Sequence, residues 1–380
     1  MTVLFLFTGC KALKIDRAAV TTEADWLTEG DSPERRNVTE DAVVPPLEEV
    51  WVYNATAAFG SGSPLLLGQN VLVGTRKGEI HAIDFETGKR KGIDNFGETV
   101  EGTPIIQDGK LIVPVGWGKR MLYVYDLANA RTLWKLKGTP IETGILSLGE
   151  AFVVADAQAH VRKYDTETGE VRWEYVLDEG NSVHATPVLA RERVIIAGDR
   201  GDLVALRPDD GTVHWKQALR SPVYTSISAH ETALFVPTTR GRIFALDAEG
   251  GRVRWTFALP DTTIRFAAPA VDGDLLVVGA SDGLLRALDT ATGALRWSFK
   301  VSAALTAAPL LTPRHVYIGS MGRMLYAVDR ETGAKQWEHQ LRGRVKSALA
   351  ARDGYLVVLS EPHFVYLFRS TSAPDHAASL

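Results

Sequence analysis

Cysteine, charge imbalance and long apolar runs are all scarce in this sequence of 380 residues. The single cysteine, Cys10, excludes an internal disulfide and a cysteine-based metal site. The net charge of −4 gives no sign of a nucleic-acid partner. No apolar run approaches the ~20 residues that a membrane-spanning helix needs. The hydrophobic fraction of 45% nevertheless predicts a globular protein with an ample core.

Motifs that carry catalysis or metal binding are also missing. The sequence holds no Gly-x-Ser-x-Gly elbow, no His-Glu-x-x-His and no phosphate loop. Its nine histidines do not cluster, and His184, just before Thr186, is the one that could face a channel mouth. A lone histidine there is more often a polar loop residue. We therefore predict no catalytic, cofactor-binding or metal-binding residues, and no enzymatic activity.

What the sequence does contain is one motif, Asp-x-x-Thr-Gly-x-x-x-Trp, repeated along most of its length. Its tryptophan positions are separated by 39 to 42 residues, a period typical of repeat architectures. The tryptophans are Trp51, Trp134, Trp173, Trp215, Trp255, Trp297 and Trp337, and Gly92 occupies the remaining place in the series. The aspartates are Asp84, Asp126, Asp165, Asp247, Asp289 and Asp329, with Arg207 in the seventh place. The glycines are Gly88, Gly169, Gly211, Gly251, Gly293 and Gly333, with Ala130 as the exception.

Each repeat reads as four short strands. In the sixth unit we expect strands at 264–271, 274–279, 284–289 and 294–299, the inner ones continuously apolar and the outer one alternating. Four antiparallel strands in about forty residues form a propeller blade. The last unit has only three strands, and the spare strand 48–53 around Trp51 fits that vacancy. The sequence therefore predicts an all-β, eight-bladed propeller over 47–369, closed by its N-terminal strand.

The repeated side chains are best explained by structure. Indoles at fixed spacing could stack on a cofactor or a carbohydrate, but one tryptophan per repeat at the same strand position favours a wedge between neighbouring blades. The aspartates are expected to accept backbone N–H bonds within the hairpin turns. Gly92 should weaken one blade contact unless Phe96 fills the gap.

The N-terminal stretch carries a different signal. An apolar run, Val3–Phe7, followed by Thr8, Gly9 and Cys10, resembles the signal and lipobox of a bacterial lipoprotein, in which the cysteine is lipidated. The basic residues that usually open such a signal are missing, so we expect the signal to begin upstream of Met1. The alternative is a disordered apolar end with an incidental cysteine. We predict a signal segment at 1–9, a lipid anchor and flexible tether at 10–46, and a disordered tail at 370–380.

The repeat resembles that of the pyrroloquinoline-quinone-type β-propellers, over residues 47–369. Two branches share it: quinone-dependent dehydrogenases, and BamB-like lipoproteins of the outer-membrane β-barrel assembly machinery. The chain length and the lipobox resemble the second branch. The sequence also has neither a vicinal Cys-Cys nor a haem-attachment motif, which many members of the first branch carry.

The resemblance to the second branch implies a non-enzymatic scaffold, lipid-anchored at the outer membrane of a Gram-negative bacterium and facing the periplasm. Its implied partners are the BamA-like barrel-assembly subunit and unfolded barrel substrates, without a cofactor or nucleic acid. The family's partner-binding segment would align near Val176–Glu179 and Val223–Ser226, but its Arg and Asp are not matched there, so the partner-binding residues stay unknown. The alternatives are a quinone-binding propeller oxidoreductase and a scaffold of another envelope complex.

Overall fold

The protein is an eight-bladed β-propeller. A computed structural model describes residues 12–15, 25–178 and 180–371. The described residues form 32 strands, arranged as eight four-stranded antiparallel sheets, and one short 3-10 helix at Glu29–Asp31. This architecture confirms the predicted fold class.

The blades follow one another in sequence. Blade 1 contains β2 (Leu65–Leu67), β3 (Asn70–Gly74), β4 (Glu79–Asp84) and β5 (Arg90–Asn95), and blade 2 contains β6 (Ile105–Gln107), β7 (Lys110–Pro114), β8 (Arg120–Asp126) and β9 (Arg131–Lys137). Blade 3 contains β10 (Leu146–Ser147), β11 (Ala151–Ala155), β12 (His160–Asp165) and β13 (Val171–Val176). Blade 4 contains β14 (Val188–Ala190), β15 (Arg193–Ala197), β16 (Asp202–Leu206) and β17 (Val213–Ala218).

Blade 5 contains β18 (Ser228–His230), β19 (Ala233–Pro237), β20 (Arg242–Asp247) and β21 (Val253–Ala258). Blade 6 contains β22 (Ala270–Asp272), β23 (Leu275–Gly279), β24 (Leu284–Asp289) and β25 (Leu295–Lys300). Blade 7 contains β26 (Leu310–Leu311), β27 (His315–Gly319), β28 (Met324–Asp329) and β29 (Lys335–Gln340). Blade 8 contains β30 (Ala350–Arg352), β31 (Tyr355–Ser360), β32 (Phe364–Ser370) and, as its outer strand, β1 (Leu47–Asn54).

The ring is closed by the N-terminal strand. β1 pairs antiparallel with β32, and Trp51 lies opposite Leu367. Because the first strand completes the last sheet, the ring has no open radial edge, and the propeller cannot open without breaking this pairing.

The inner strands are shorter than the sequence predicted. In the sixth blade the inner strand spans only Ala270–Asp272, whereas we expected it to begin at residue 264. Pro269 immediately precedes it and cannot donate a ladder hydrogen bond. The preceding residues instead form the loop that enters the blade. We call the face with these entry loops the loop face, and the face with the Asp-Thr-Gly turns the turn face.

Tryptophans join most neighbouring blades. Six indole N–H groups donate to a turn carbonyl of the next blade at 2.8–3.0 Å: those of Trp51, Trp134, Trp173, Trp215, Trp255 and Trp297. The ring of each lies over the turn glycine of that blade, where an added Cβ would come within 2.5–3.0 Å. These glycines also have φ between 67° and 74°. Glycine is therefore required at this point for both space and backbone conformation.

The seventh tryptophan packs differently. Trp337 faces blade 8, where β32 and β1 come from opposite ends of the chain and are not joined by a turn. Its ring stacks on His339 at 5.7 Å and meets Phe368 edge-on at 6.0 Å. This contact between blades is aromatic.

The interface between blades 1 and 2 has no tryptophan, and residues 12–15 take its place. Leu13 and Ile15 are buried, and Ala12 and Leu13 cover Gly92 so closely that a Cβ there would lie 2.6 Å from the Ala12 carbonyl oxygen. The Ile15 N–H donates to the Leu127 carbonyl at 2.8 Å, the bond that an indole makes in the six interfaces above. Backbone from the N-terminal segment thus substitutes for the missing side chain.

Two further residues adapt to this exchange. Ala130, in the place of the turn glycine, has a φ of 52° and packs against the cluster that contains Leu13 and Ile15. It can carry a methyl group because no indole lies above it. Phe96 does not fill the gap over Gly92; it contacts Tyr123 and Tyr125 edge-on, at 5.2 and 5.6 Å.

Candidate functional site

The central channel is closed by the N-terminal segment. Residues 25–41 run around the channel and bind successive blades. Their carbonyl oxygens accept hydrogen bonds of 2.8–3.0 Å from inner-strand N–H groups of Leu66, Ile106, Leu189, Ala229, Val271 and Leu311, in blades 1, 2, 4, 5, 6 and 7. Side chains make the remaining two connections, to blades 3 and 8. Residues 25–46 therefore belong to the folded body, rather than to the flexible tether that their composition predicted.

Two buried charges hold this segment. Arg35 is 1% exposed and donates to the carbonyls of Pro187, Ile145 and Glu29, so that one guanidinium joins blades 3 and 4. Burial lowers the pKa of Arg35, and the Glu29 carboxylate opposes this shift. The second charge is Asp25, which forms a buried ion pair with Arg352 of blade 8 at 3.1 Å.

The opposite end of the channel is an open funnel on the loop face. Its floor is the Glu29 carboxylate, which accepts hydrogen bonds from Thr186 at 3.0 Å and Ser226 at 2.9 Å. Its wall comes from the entry loops and consists mostly of small residues: Ser63, Thr103, Thr143, Gly144, Ala268, Ala308 and Ala348. The cavity measures about 180 Å³. It is narrow, polar and closed at its base.

A larger and more apolar groove lies beside the funnel, over blades 5 and 6. It measures about 560 Å³ and is lined by Phe266, Leu305 and Tyr224, with Arg265 among its polar residues. Phe266 and Leu305 form its buried base, whereas Tyr224 is 46% exposed and stacks on His184 at 5.0 Å. An exposed aromatic ring beside an apolar depression is typical of a protein-binding surface.

Some residues that the sequence made noticeable, without indicating their function, lie at or near the funnel. His184 does lie at the funnel, 3.8 Å from the Glu142 carboxylate. Val176 is exposed and Leu177 is buried. The positive charge of the basic stretch 342–346 is partly neutralised, because Arg344 and Lys346 both pair with Glu361. Cys10, the predicted lipidation site, lies outside the described residues.

Two features of the structure were not predicted. The segment 25–41 has no hydrophobic period, so nothing in it predicted contact with eight blades. Trp117 stands outside the repeat series between two glycines, and its side chain is 76% exposed in the loop that joins β7 and β8. A tryptophan out of register with the repeat was the available signal.

The described part of the chain contains neither a metal site nor a membrane-spanning helix. No group of three or more His, Cys, Asp or Glu residues is placed to hold a metal ion within residues 12–15, 25–178 and 180–371. Within the same residues, no helix is long and apolar enough to cross a membrane.

Two curated proteins with similar sequences carry the same name. "Outer membrane protein assembly factor BamB" of Burkholderia pseudomallei is 26% identical over 267 residues, which are 64% of this chain and 67% of that protein. The protein of the same name from Yersinia pestis is 25% identical over 248 residues, or 60% of this chain and 61% of that protein. The alignment therefore spans less than two thirds of the Yersinia protein.

Solved structures show the same fold at low identity. BamB from Moraxella catarrhalis superposes with a TM-score of 0.72 at 16% identity, over 85% of this chain and 99% of that one. A quinohemoprotein alcohol dehydrogenase from Comamonas testosteroni superposes with a TM-score of 0.77 at 15% identity, over 94% and 83%. Both branches thus share the propeller, and the fold does not choose between them.

A family model separates them. The model described as "Outer membrane protein assembly factor BamB" matches this chain at residues 46–184, 141–232, 224–316 and 303–368, overlapping segments that together span the whole propeller. The chain therefore belongs to the family of the outer membrane protein assembly factor BamB.

Proposed function

We propose that this protein is a non-catalytic scaffold lipoprotein of the machinery that assembles β-barrel proteins in the outer membrane. Cys10 would carry the lipid, and the propeller would face the periplasm. The partners would be a BamA-like assembly subunit and extended strands of unfolded barrel substrates. Family membership supports the assembly role, and a rigid propeller suits a scaffold because a pre-organised surface loses little entropy on binding.

The observation that carries the binding role is the apolar groove beside Tyr224. Its base of Phe266 and Leu305 is fixed by the blade core, so the groove exists before a partner arrives. A loop or strand that places an apolar side chain in the groove would cover Tyr224 and displace water from it. A tyrosine that becomes a buried hot spot of an interface contributes about 2 kcal/mol or more to binding.

A binding titration tests this role. The soluble periplasmic region of the barrel-assembly subunit from the same organism is titrated into the protein in a calorimeter. Tyr224→Ala should weaken binding by about tenfold or more. Leu295→Ala is the matched control, because Leu295 is 51% exposed on an outer strand away from the groove. Equal affinity of the wild type and Tyr224→Ala would refute the groove as the binding surface.

Lipid anchoring has its own test. Mass spectrometry of the membrane-extracted protein should find the Cys10 peptide carrying acyl chains. Cys10→Ser should move the protein from the membrane fraction to the soluble periplasmic fraction. An unmodified Cys10 in the wild type would contradict anchoring and leave the groove experiment unaffected.

A quinone-binding oxidoreductase is the alternative with structural relatives. The funnel does not fit a carboxylate-bearing quinone: it measures about 180 Å³, its floor is the Glu29 carboxylate, and Glu142 adds a second acid opposite the single Lys346. Titration with the quinone plus Ca²⁺ should therefore show neither stoichiometric binding nor dye reduction. Turnover in this assay would overturn the scaffold proposal.

A scaffold in another envelope complex is distinguished by its partners. Affinity purification from solubilised outer membranes should recover the barrel-assembly subunit together with this protein. Recovery of a different complex without that subunit would favour the alternative.

A further inference from the structure

The geometry points to one edge of the propeller, at blades 1 and 2, as the surface that lies against an anionic phospholipid bilayer. We call this surface the blade 1–2 edge and define it by six basic residues: Lys14, Arg90, Lys91, Arg131, Lys135 and Lys137. The inference rests on the proposed lipid anchor at Cys10, and it adds which side of the molecule that anchor brings to the membrane.

The first observation is that the chain is fixed at this edge shortly after Cys10. Leu13 is fully buried, its carbonyl accepts a hydrogen bond from the Tyr125 hydroxyl at 3.1 Å, and the Ile15 N–H is bound to Leu127. Burial alternates along this segment, so Lys14 is exposed between two buried neighbours. The segment is therefore seated as an extra strand-like wedge between the two blades.

The second observation is that Cys10 lies close in sequence to the wedge, so a lipid on it cannot move far from the wedge. Only Lys11 lies between Cys10 and Ala12, so the two residues are at most about 7 Å apart even when the chain is fully extended. A free tether from residue 10 to residue 46 could instead reach more than about 100 Å and would favour no side of the molecule. Because the wedge holds Leu13 and Ile15, a lipid on Cys10 stays close to the outer strands of blades 1 and 2.

The third observation is the charge of those outer strands. β5 and β9 contain five basic residues and one acid, Asp94, in a protein whose net charge is −4. All five are exposed. Such a concentration of positive charge attracts anionic headgroups, and the attraction adds to that of the lipid anchor.

The other outer strands carry at most two lysines or arginines each, and most of these are paired with acids. Arg172, Arg254 and Arg296 each form an ion pair with the turn aspartate of their own blade, at 2.5–2.6 Å. β1 carries Glu48 and Glu49 instead. On the blade 1–2 edge, Lys91 likewise pairs with its turn aspartate Asp84, at 3.4 Å. Within residues 12–15, 25–178 and 180–371, however, Arg131, Lys135 and Lys137 form no ion pair, which leaves the charge of β9 available to headgroups.

Labelling of the membrane-bound protein tests the orientation. Thr132→Cys places a thiol on β9, and Ser298→Cys places its control on β25 of blade 6, across the ring; both residues are exposed. Lipidated Cys10 does not react, so the introduced thiol is the labelled one. In anionic proteoliposomes, the thiol at position 132 should react several-fold more slowly with a water-soluble maleimide than the thiol at position 298. Equal protection of the two, after correction for their rates in detergent, would overturn the proposal.

Charge reversal tests the electrostatic part. Unlipidated Cys10→Ser protein is sedimented with phosphatidylcholine vesicles that either contain or lack 40% phosphatidylglycerol. The anionic-to-zwitterionic binding ratio should fall by about tenfold or more in Lys135→Glu/Lys137→Glu, because each basic residue near the surface contributes about fivefold. Lys300→Glu/Lys335→Glu makes the same change in net charge on blades 6 and 7 and should alter the ratio by less than about twofold.

The outcomes separate the two proposals. If Cys10 proves unmodified, the anchor fails, and the vesicle ratio still reports whether the basic edge binds anionic lipid. If Cys10 is lipidated but both thiols react alike, or both double variants lower the ratio equally, the anchor stands and the blade 1–2 edge is refuted.

Discussion

The interface between blades 1 and 2 and the interface between blades 6 and 7 solve the same packing problem with different parts of the chain. Between blades 6 and 7, the indole of Trp297 covers Gly333 and donates to the Arg330 carbonyl at 2.9 Å. Between blades 1 and 2, residues 12–15 cover Gly92 and the Ile15 N–H donates to the Leu127 carbonyl.

The difference matters because the two wedges are attached differently. An indole belongs to the blade and can leave only if the blade distorts. A four-residue segment can detach while the ring stays closed, since local openings cost less than global unfolding. At the blade 1–2 interface the permanent indole wedge is therefore replaced by residues 12–15, which also fix the course of the N-terminal segment.

The largest effect is expected from removing an indole. Trp297→Ala should lower the free energy of unfolding by about 3–5 kcal/mol, because it leaves a cavity and an unpaired turn carbonyl between two blades. Urea denaturation followed by circular dichroism measures the change. Leu295→Ala, on the exposed face of the same strand, should cost less than about 0.5 kcal/mol. Similar losses in both variants would contradict the wedge role.

The turn residues beneath the two kinds of wedge should respond with different magnitudes. Gly211→Ala places a Cβ 2.7 Å from the Trp173 ring at a φ of 71°, and should destabilise by about 1–3 kcal/mol. Ala130→Gly faces no indole and should change stability by less than about 1 kcal/mol. Thermal unfolding of the two variants provides the comparison, and a large loss in Ala130→Gly would show that its methyl group is needed.

The blade 1–2 interface can be rebuilt with a tryptophan wedge like those of the other blades. In the double variant Gly92→Trp/Ala130→Gly, an indole should occupy the slot, donate to the Leu127 carbonyl and displace residues 12–15. The propeller should stay folded, with a stability within about 2 kcal/mol of the wild type, because one wedge replaces another. Hydrogen exchange of the Ile15 amide should become fast. Continued protection of that amide would mean that the segment does not depend on the slot.

The smallest effect is expected at Asp31, in the segment 25–41 that closes the channel. Asp31 lines a concave pocket but is exposed to solvent. Surrounding protein atoms, and then the charge of Asp41, raise its pKa to about 7, and solvent screening keeps the effect on stability small. A raised acid pKa means that stability is full below the unfolded value of 3.8 and is lost as pH rises towards 7. Asp31→Asn should therefore raise the unfolding temperature by about 1–2 °C at pH 8 and leave it unchanged at pH 4. An equal rise at both values would exclude titration as the cause.

The repeat could be read from the sequence because each blade uses the same residues for the same local purpose. The Asp289 carboxylate accepts the Thr292 N–H at 2.9 Å, and Gly293 follows with a φ of 73°, so the turn is encoded within five residues. The same local code in seven units predicted the number of blades, and the three-strand remainder predicted the closure by β1.

The N-terminal segment could not be read in this way. Glu29, Arg35 and Asn37 look like ordinary solvated polar residues, since their partners are carbonyls and hydroxyls 110 to 232 positions away. Those groups meet at one point only after the ring has closed. Gly92 and Ala130 were visible as exceptions, but the residues that compensate for them are about 80 and 115 positions upstream and share no motif with the repeat.

By itself, then, the sequence determined the blade, the number of blades and the way in which the ring closes, because all three depend on short-range turns and strand alternation. Only the tertiary structure decided that the channel is closed at one end, that residues 12–15 replace a tryptophan, and that an apolar groove stays open beside Tyr224. These features depend on which distant backbone groups are left without partners once eight blades surround a common axis, and only the folded ring brings those groups together.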